Sequence, residues 1–214
     1  MKKTFSLIAM ASMLFLAAGC ASSKGDSADA MSSMSLAGKD AATITESIHP
    51  VADGKKTLVV YFSNGISTKH VATDFALLYE ADLEAIEETN PRSTKFIGFM
   101  TAGFQGTFKI ASKIDAPVSD PAAFDRVVVL TPVWSWSLSP AVRAWLKLMK
   151  GKLPPATAFI TVSGDTDPDK IVADMKKVSG AVPAVFIGFR DKDFAPENRD
   201  SYAAKLTTII EKLK

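Results

Sequence analysis

Val127-Val128-Val129-Leu130-Thr131-Pro132-Val133-Trp134-Ser135-Trp136-Ser137-Leu138-Ser139-Pro140-Ala141-Val142-Arg143 contains one complete turn of a layered α/β architecture. Residues 127–130 are apolar without alternation, the pattern of a strand covered on both faces rather than one. A short polar and aromatic loop follows. Ser139-Pro140 then supplies a helix N-cap and a proline at the first helical position. Beyond it, Val142, Trp145, Leu146 and Met149 recur at helical spacing and form an inward face.

The same unit repeats on either side. Leu58-Val59-Val60-Tyr61-Phe62 is a second apolar run, followed by a helix carrying Val71, Phe75 and Leu78 on one face. Leu83-Glu84-Ala85-Ile86 alternates and suits an edge strand. Phe159-Ile160-Thr161-Val162 is the fourth strand, with Asp167-Pro168 capping a helix of Ile171, Met175 and Val178. Residues 182–189 give the fifth strand, and Tyr202, Leu206, Ile209 and Leu213 the last helix. Strands alternating with helices predict a doubly wound, five-stranded parallel sheet in three layers, with right-handed crossovers. Its ligand crevice is expected at the carboxyl ends of the strands.

Residues 1–20 read as a signal peptide: Lys2 and Lys3, an apolar run over 5–16, then small residues. Leu16-Ala17-Ala18-Gly19-Cys20 resembles a lipobox, which implies lipidation at Cys20 and a new N-terminus there. Several acyl chains, at about 0.8 kcal/mol per buried methylene, make a durable membrane anchor. Ala21, rather than aspartate, after the cysteine implies the outer membrane where the host has one. The alternative is an ordinary signal peptide with a stray cysteine. Residues 21–56 are rich in Ala, Ser, Gly, Asp and Met and predict a flexible tether, spanning about 30 Å as a coil. The globular domain is expected over 57–214.

Composition narrows the chemistry. Cys20 is the single cysteine, so the folded part carries neither a disulfide nor a thiol nucleophile. Without Lys2 and Lys3, the 25 basic residues fall to 23, equal to the 23 acidic ones. That balance argues against a nucleic-acid partner, which calls for a basic stripe. The dinucleotide fingerprint G-x-G-x-x-G is absent from the first turn, as is the G-x-S-x-G elbow of a serine hydrolase. Ser63-Asn64 offers no acidic cluster of the response-regulator kind.

Over residues 57–214 the chain resembles the FMN-binding flavodoxin family, through the loops after strands one, three and four. The resemblance implies strand order 2-1-3-4-5 and FMN as cofactor. In the first loop, Tyr61-Phe62-Ser63-Asn64-Gly65-Ile66-Ser67-Thr68 matches an aromatic-Ser strand end running into a Thr/Gly/Ser turn and a helix. Ser63, Asn64, Ser67 and Thr68 are the expected phosphate contacts, since a helix N-terminus with hydroxyls suits a phosphate monoester. The family places glycine where Ile66 stands; here Gly65 comes one residue earlier. The second loop, Thr131-Pro132-Val133-Trp134 with the later Pro140-Ala141-Val142-Arg143, is the most specific match. Pro132, Val133, Trp134, Ser135 and Trp136 are expected at the flavin ring, with Trp134 stacking on it. Trp136 suits core or rim as well as ring contact. Ser163, Gly164 and Asp165 form the third loop. Arg143 and His70 are expected at the surface.

Two functions follow. The first is a membrane-tethered FMN redox protein with an unidentified small-molecule or protein partner. Electron-transfer flavodoxins use a glycine in the second loop for a peptide flip that stabilises the one-electron flavin. Residues 133–137 contain no glycine, which favours a two-electron oxidoreductase of the quinone-reductase kind over a carrier. The alternative is a cofactor-free flavodoxin-like binding module of the cell envelope, which the early Gly65 favours. The Phe/Gly-rich segment 96–108 is expected to be a crossover packed on the sheet, or else a flap or docking surface.

Overall fold

In the computed structural model, which describes residues 50–90, 105 and 108–214, the strand-helix units assemble as a single sheet with helices on both faces. The parallel strands are β1 (Thr57–Tyr61), β2 (Asp82–Ala85), β3 (Arg126–Trp134), β4 (Ala156–Ser163) and β5 (Val185–Arg190). They run in the order β2-β1-β3-β4-β5, as the resemblance implies. The addition is a two-residue antiparallel strand, Ser137–Leu138, paired to the end of β3. The described helices are α1 (Ser67–Tyr79), α2 (Pro140–Leu148), α3 (Pro168–Ser179) and α4 (Arg199–Lys212).

Pleating divides the strand residues between two cores. Val59, Val128, Leu130, Ala158 and Ile160 face α1 and α4, where Val71, Phe75, Leu78, Leu206 and Ile209 meet them. Leu58, Val60, Val127, Val129 and Phe159 face α2 and α3, against Val142, Trp145, Leu146, Ile171 and Met175. Continuous apolar runs are thus required, because each strand is covered twice. In register, Val60 lies beside Val129 and Val129 beside Phe159, so the central strands bury one unbroken band.

Four expectations change. Residues 182–184 precede β5: Val182 is exposed, and Pro183 has no N–H for a ladder. Residues 50–56, assigned from sequence to the tether, pack on the domain. Val51 N–H donates to Leu78 O at 2.7 Å, and Asp53 pairs with the buried Arg126 guanidinium. Arg126 Nε also donates to Leu213 O at 2.7 Å, so one side chain ties the entry to the domain to its last helix. Arg143, expected at the surface, is only 3% exposed and donates to Asp174. Ser139 occupies the expected N-cap position of α2 without a side-chain cap bond, whereas Asp167 does accept from Asp169 N–H, at 2.9 Å. The segment 96–108 lies outside the described residues except for Gln105 and Phe108, and the leader with Cys20 lies wholly outside them.

Candidate functional site

Because the strands are parallel, the loops after β1, β3 and β4 emerge at one edge of three adjacent strands. In the first, Phe62 is buried and the chain turns over Ser63, whose Oγ donates to Gly65 O at 2.5 Å and accepts from Gly65 N–H at 3.3 Å. Asn64, Gly65 and Ile66 are exposed. Helix α1 begins at Ser67 with Ile66 as its N-cap, in helical conformation, without a side-chain cap bond and without an acidic residue in the first turn. First-turn N–H groups have no partner inside a helix and usually meet a capping oxygen. Here Ile66 supplies no such oxygen, and among the described residues the positive end of the helix is open to an anion. Ser63 and Ser67 flank this end, while Thr68 is buried.

The second loop is a tight hairpin rather than an open one. Val133 pairs with Leu138 and Trp134 with Ser137, leaving Ser135 and Trp136 as the two turn residues. Their φ values are 48° and 55°, the left-handed conformation required by a type I′ turn and ordinarily supplied by Asn-Gly. A side chain there costs about 1–2 kcal/mol per residue. Sequence could not reveal the hairpin, since Ser-Trp is not an I′ signal. Trp136 stands at the tip, 71% exposed. Trp134 is half-buried and meets Phe62 edge-on at 5.5 Å, so loops one and two touch through these rings. Pro132 and Val133 are half-buried and Ser135 is exposed. The structure therefore anchors Trp134 against Phe62 and leaves Trp136 at the exposed tip of the hairpin.

In the third loop, Ser163 Oγ accepts from Thr166 N–H at 3.1 Å, and Gly164 O accepts from Asp191 N–H at 3.2 Å. Asp165 is exposed and pairs with Arg190 at 3.1 Å. These bonds fix the backbone of the loop against the end of β5. Gly164 and Asp165 remain at the surface.

A buried polar cluster adjoins α1. Asp74 is fully buried and accepts from Tyr202 OH at 2.6 Å, with His70 Nε2 at 3.7 Å. His70, expected at the surface, is largely covered and lies among the rings of Phe194 and Tyr202. Its carboxylate partner was legible in principle, because Asp74 lies on the same stripe as Val71, Phe75 and Leu78. Burial raises the Asp74 pKa, with the Tyr202 hydrogen bond and the charge of His70 only partly opposing it. A raised folded pKa gives stability that is full below the unfolded value, about pH 3.9, and is lost as pH rises through the folded one. Asp74→Asn is therefore expected to raise the melting temperature at neutral pH and flatten its decline with pH above about 4. Melting curves across that range check this; an unchanged slope would locate the pH dependence elsewhere.

No protein-family model and no curated protein sequence matches the chain. Solved structures do. A flavoprotein from Lactobacillus acidophilus NCFM, crystallised in complex with FMN, superposes with a TM-score of 0.55 at 19% identity, over 70% of this chain and 99% of the other. A protein assigned to the flavoproteins from Bacteroides eggerthii DSM 20697 gives 0.58 at 17%, over 73% and 99%. Another from Bacteroides uniformis ATCC 8492 gives 0.54 at 13%, over 72% and 99%. At these identities the likeness establishes the fold: a flavodoxin-like three-layer α/β sheet.

Proposed function

We propose that this chain binds FMN at the three-loop edge and acts as a membrane-tethered flavin oxidoreductase that transfers electrons in pairs. The observation that carries the reading is the uncapped N-terminus of α1, set between Ser63 and Ser67 and joined through Phe62 to the aromatic hairpin. The donor set suits the cofactor: N–H groups and hydroxyls for a phosphate dianion, no first-turn carboxylate to repel it, and flat rings beside them. The FMN complex of the Lactobacillus flavoprotein supports the same assignment.

When bound, FMN would supply the redox chemistry; the chain supplies binding, orientation and exclusion of water. The first turn of α1 would hold the phosphate and fix the long axis of the cofactor. Trp136, exposed at the hairpin tip, would cover a ring face, and Trp134, held by Phe62, would close the side between loops one and two. The third loop offers backbone groups in a fixed position. The preference for paired electrons is supported by the hairpin. Flipping its central peptide would take Ser135 to the first position of a type II′ turn, which only glycine occupies comfortably. The loop therefore resists the change that favours a one-electron state.

The purified protein is expected to be yellow, with an absorption band near about 450 nm, and to release FMN on denaturation, identified by mass spectrometry. Stepwise reduction should pass from oxidised to fully reduced flavin without a one-electron form accumulating. Accumulation of that form would support a carrier instead. The membrane part of the proposal rests on the lipobox-like segment. Cys20→Ser is expected to abolish the lipid mass shift and block processing; a normally lipidated variant would overturn the anchor. Among the described residues no helix is long and apolar enough to cross a membrane.

A further inference from the structure

A second set of charged side chains lies away from the loops, between α2 and α3 on one face of the sheet. Arg143 and Lys147 stand one helical turn apart on α2, and Lys150 follows in the turn just beyond the helix. Lys177 and Asp174 face them from α3, and Lys109 joins from the connection before β3. Together they line a cleft of about 330 Å³ with five cationic side chains and one carboxylate. The carboxylate is already engaged: Asp174 accepts from Arg143 and, at 3.3 Å, from Lys109. Burial acts to raise the Asp174 pKa, but the Arg143 hydrogen bond and charge, with Lys109, outweigh it and hold the group ionised.

Cations near a helix C-terminus complement its dipole, which accounts for Lys147 and Lys177 taken singly. It does not account for Arg143, in the first turn of α2. The Arg143 side chain is only 3% exposed, lines the cleft, and leaves its Nε without a hydrogen-bond partner among the described residues. A buried donor of this kind is destabilising unless something accepts from it.

We propose that the cleft between α2 and α3 is a binding site for a phosphate-bearing anion, separate from the loop edge. A phosphate oxygen would accept from Arg143, and the mobile ammonium groups of Lys147, Lys150 and Lys177 would close over the remaining charge. Five cations against one engaged carboxylate suit the charge of two linked phosphates, and the same groups suit a phosphodiester headgroup.

The test uses the full-length protein in neutral detergent, titrated calorimetrically with inorganic pyrophosphate and, separately, with submicellar short-chain phosphatidylglycerol. Pyrophosphate is expected to bind one to one, more weakly as salt rises. In the exposed double variant Lys147→Gln/Lys150→Gln its affinity should fall at least about tenfold, the loss of about 1.4 kcal/mol. The equally charged control Lys192→Gln/Lys212→Gln should bind as the wild type does. Competition between pyrophosphate and the lipid would place a lipid headgroup in the cleft; pyrophosphate binding that the lipid cannot displace would assign a soluble phosphate. Binding of neither probe, or equal losses in the two double variants, would overturn the site. Neither variant touches the loop edge, so flavin content is expected to stay unchanged throughout.

Discussion

Ser67→Asp is expected to make the protein more stable and, at the same time, to weaken FMN by about two decades. The two effects share one cause. Ser67 is the first residue of α1, whose N-terminus has neither a side-chain cap nor an acidic residue in its first turn. A carboxylate there interacts favourably with the helix dipole, worth about 0.3–1 kcal/mol. The same carboxylate would stand about 5 Å from a bound phosphate, and two unit charges at that distance repel by about 3 kcal/mol in a partly solvated site. At 1.4 kcal/mol per decade that is about two decades in the dissociation constant. Riboflavin, which has the ring without the phosphate, should bind the variant as it binds the wild type. Fluorescence titrations with both ligands, and a melting curve, separate the outcomes. Equal losses for FMN and riboflavin would move the phosphate away from α1.

Trp136→Gly should also set stability against binding, through the other half of the site. Trp136 occupies the second central position of a type I′ turn at φ 55°, where glycine is the favoured residue. Removing its Cβ relieves about 1 kcal/mol of backbone strain. Little packing is lost with it, because the ring is mostly exposed. For a domain of this size, that corresponds to a rise of about 2–4 °C in melting temperature. If the exposed ring covers the flavin, its loss removes a stacking contact of about 1–3 kcal/mol by analogy with base–aromatic stacking. FMN and riboflavin should weaken alike, by about one to two decades. A variant that is more stable and binds both flavins normally would reduce Trp136 to a strained surface residue. Strain kept at an exposed aromatic is the kind of cost that functional loops carry.

The parts of the fold that sequence made legible are those where a local pattern has one physical meaning. Val127-Val128-Val129-Leu130 had to be covered twice, and Pro140 and Pro168 had to open helices. Residues 182–184 fall outside the strand because apolar composition alone does not make one; Pro183 cannot donate to a ladder, and Val182 faces solvent. The ion pairs of the two buried arginines lie beyond reach for a different reason. Arg126 meets Asp53, and Arg143 meets Asp174, across elements far apart in sequence, so only tertiary packing brings them together. At the candidate site, the three loops were identified by their place after strands, and the sheet brings all three to one edge. Their shapes were not: Ser135-Trp136 carries no hairpin signal, and the absence of a cap on α1 shows only in the geometry of Ile66.

Whether a flavin belongs at this edge is tested most directly by stripping the full-length protein of bound ligand and titrating it with FMN and riboflavin, following flavin fluorescence. The account predicts saturable, one-to-one binding of both, with FMN the tighter ligand because the phosphate meets the open end of α1. Failure of the wild-type protein to bind either flavin would contradict it, and would leave a cofactor-free binding module as the reading of the fold.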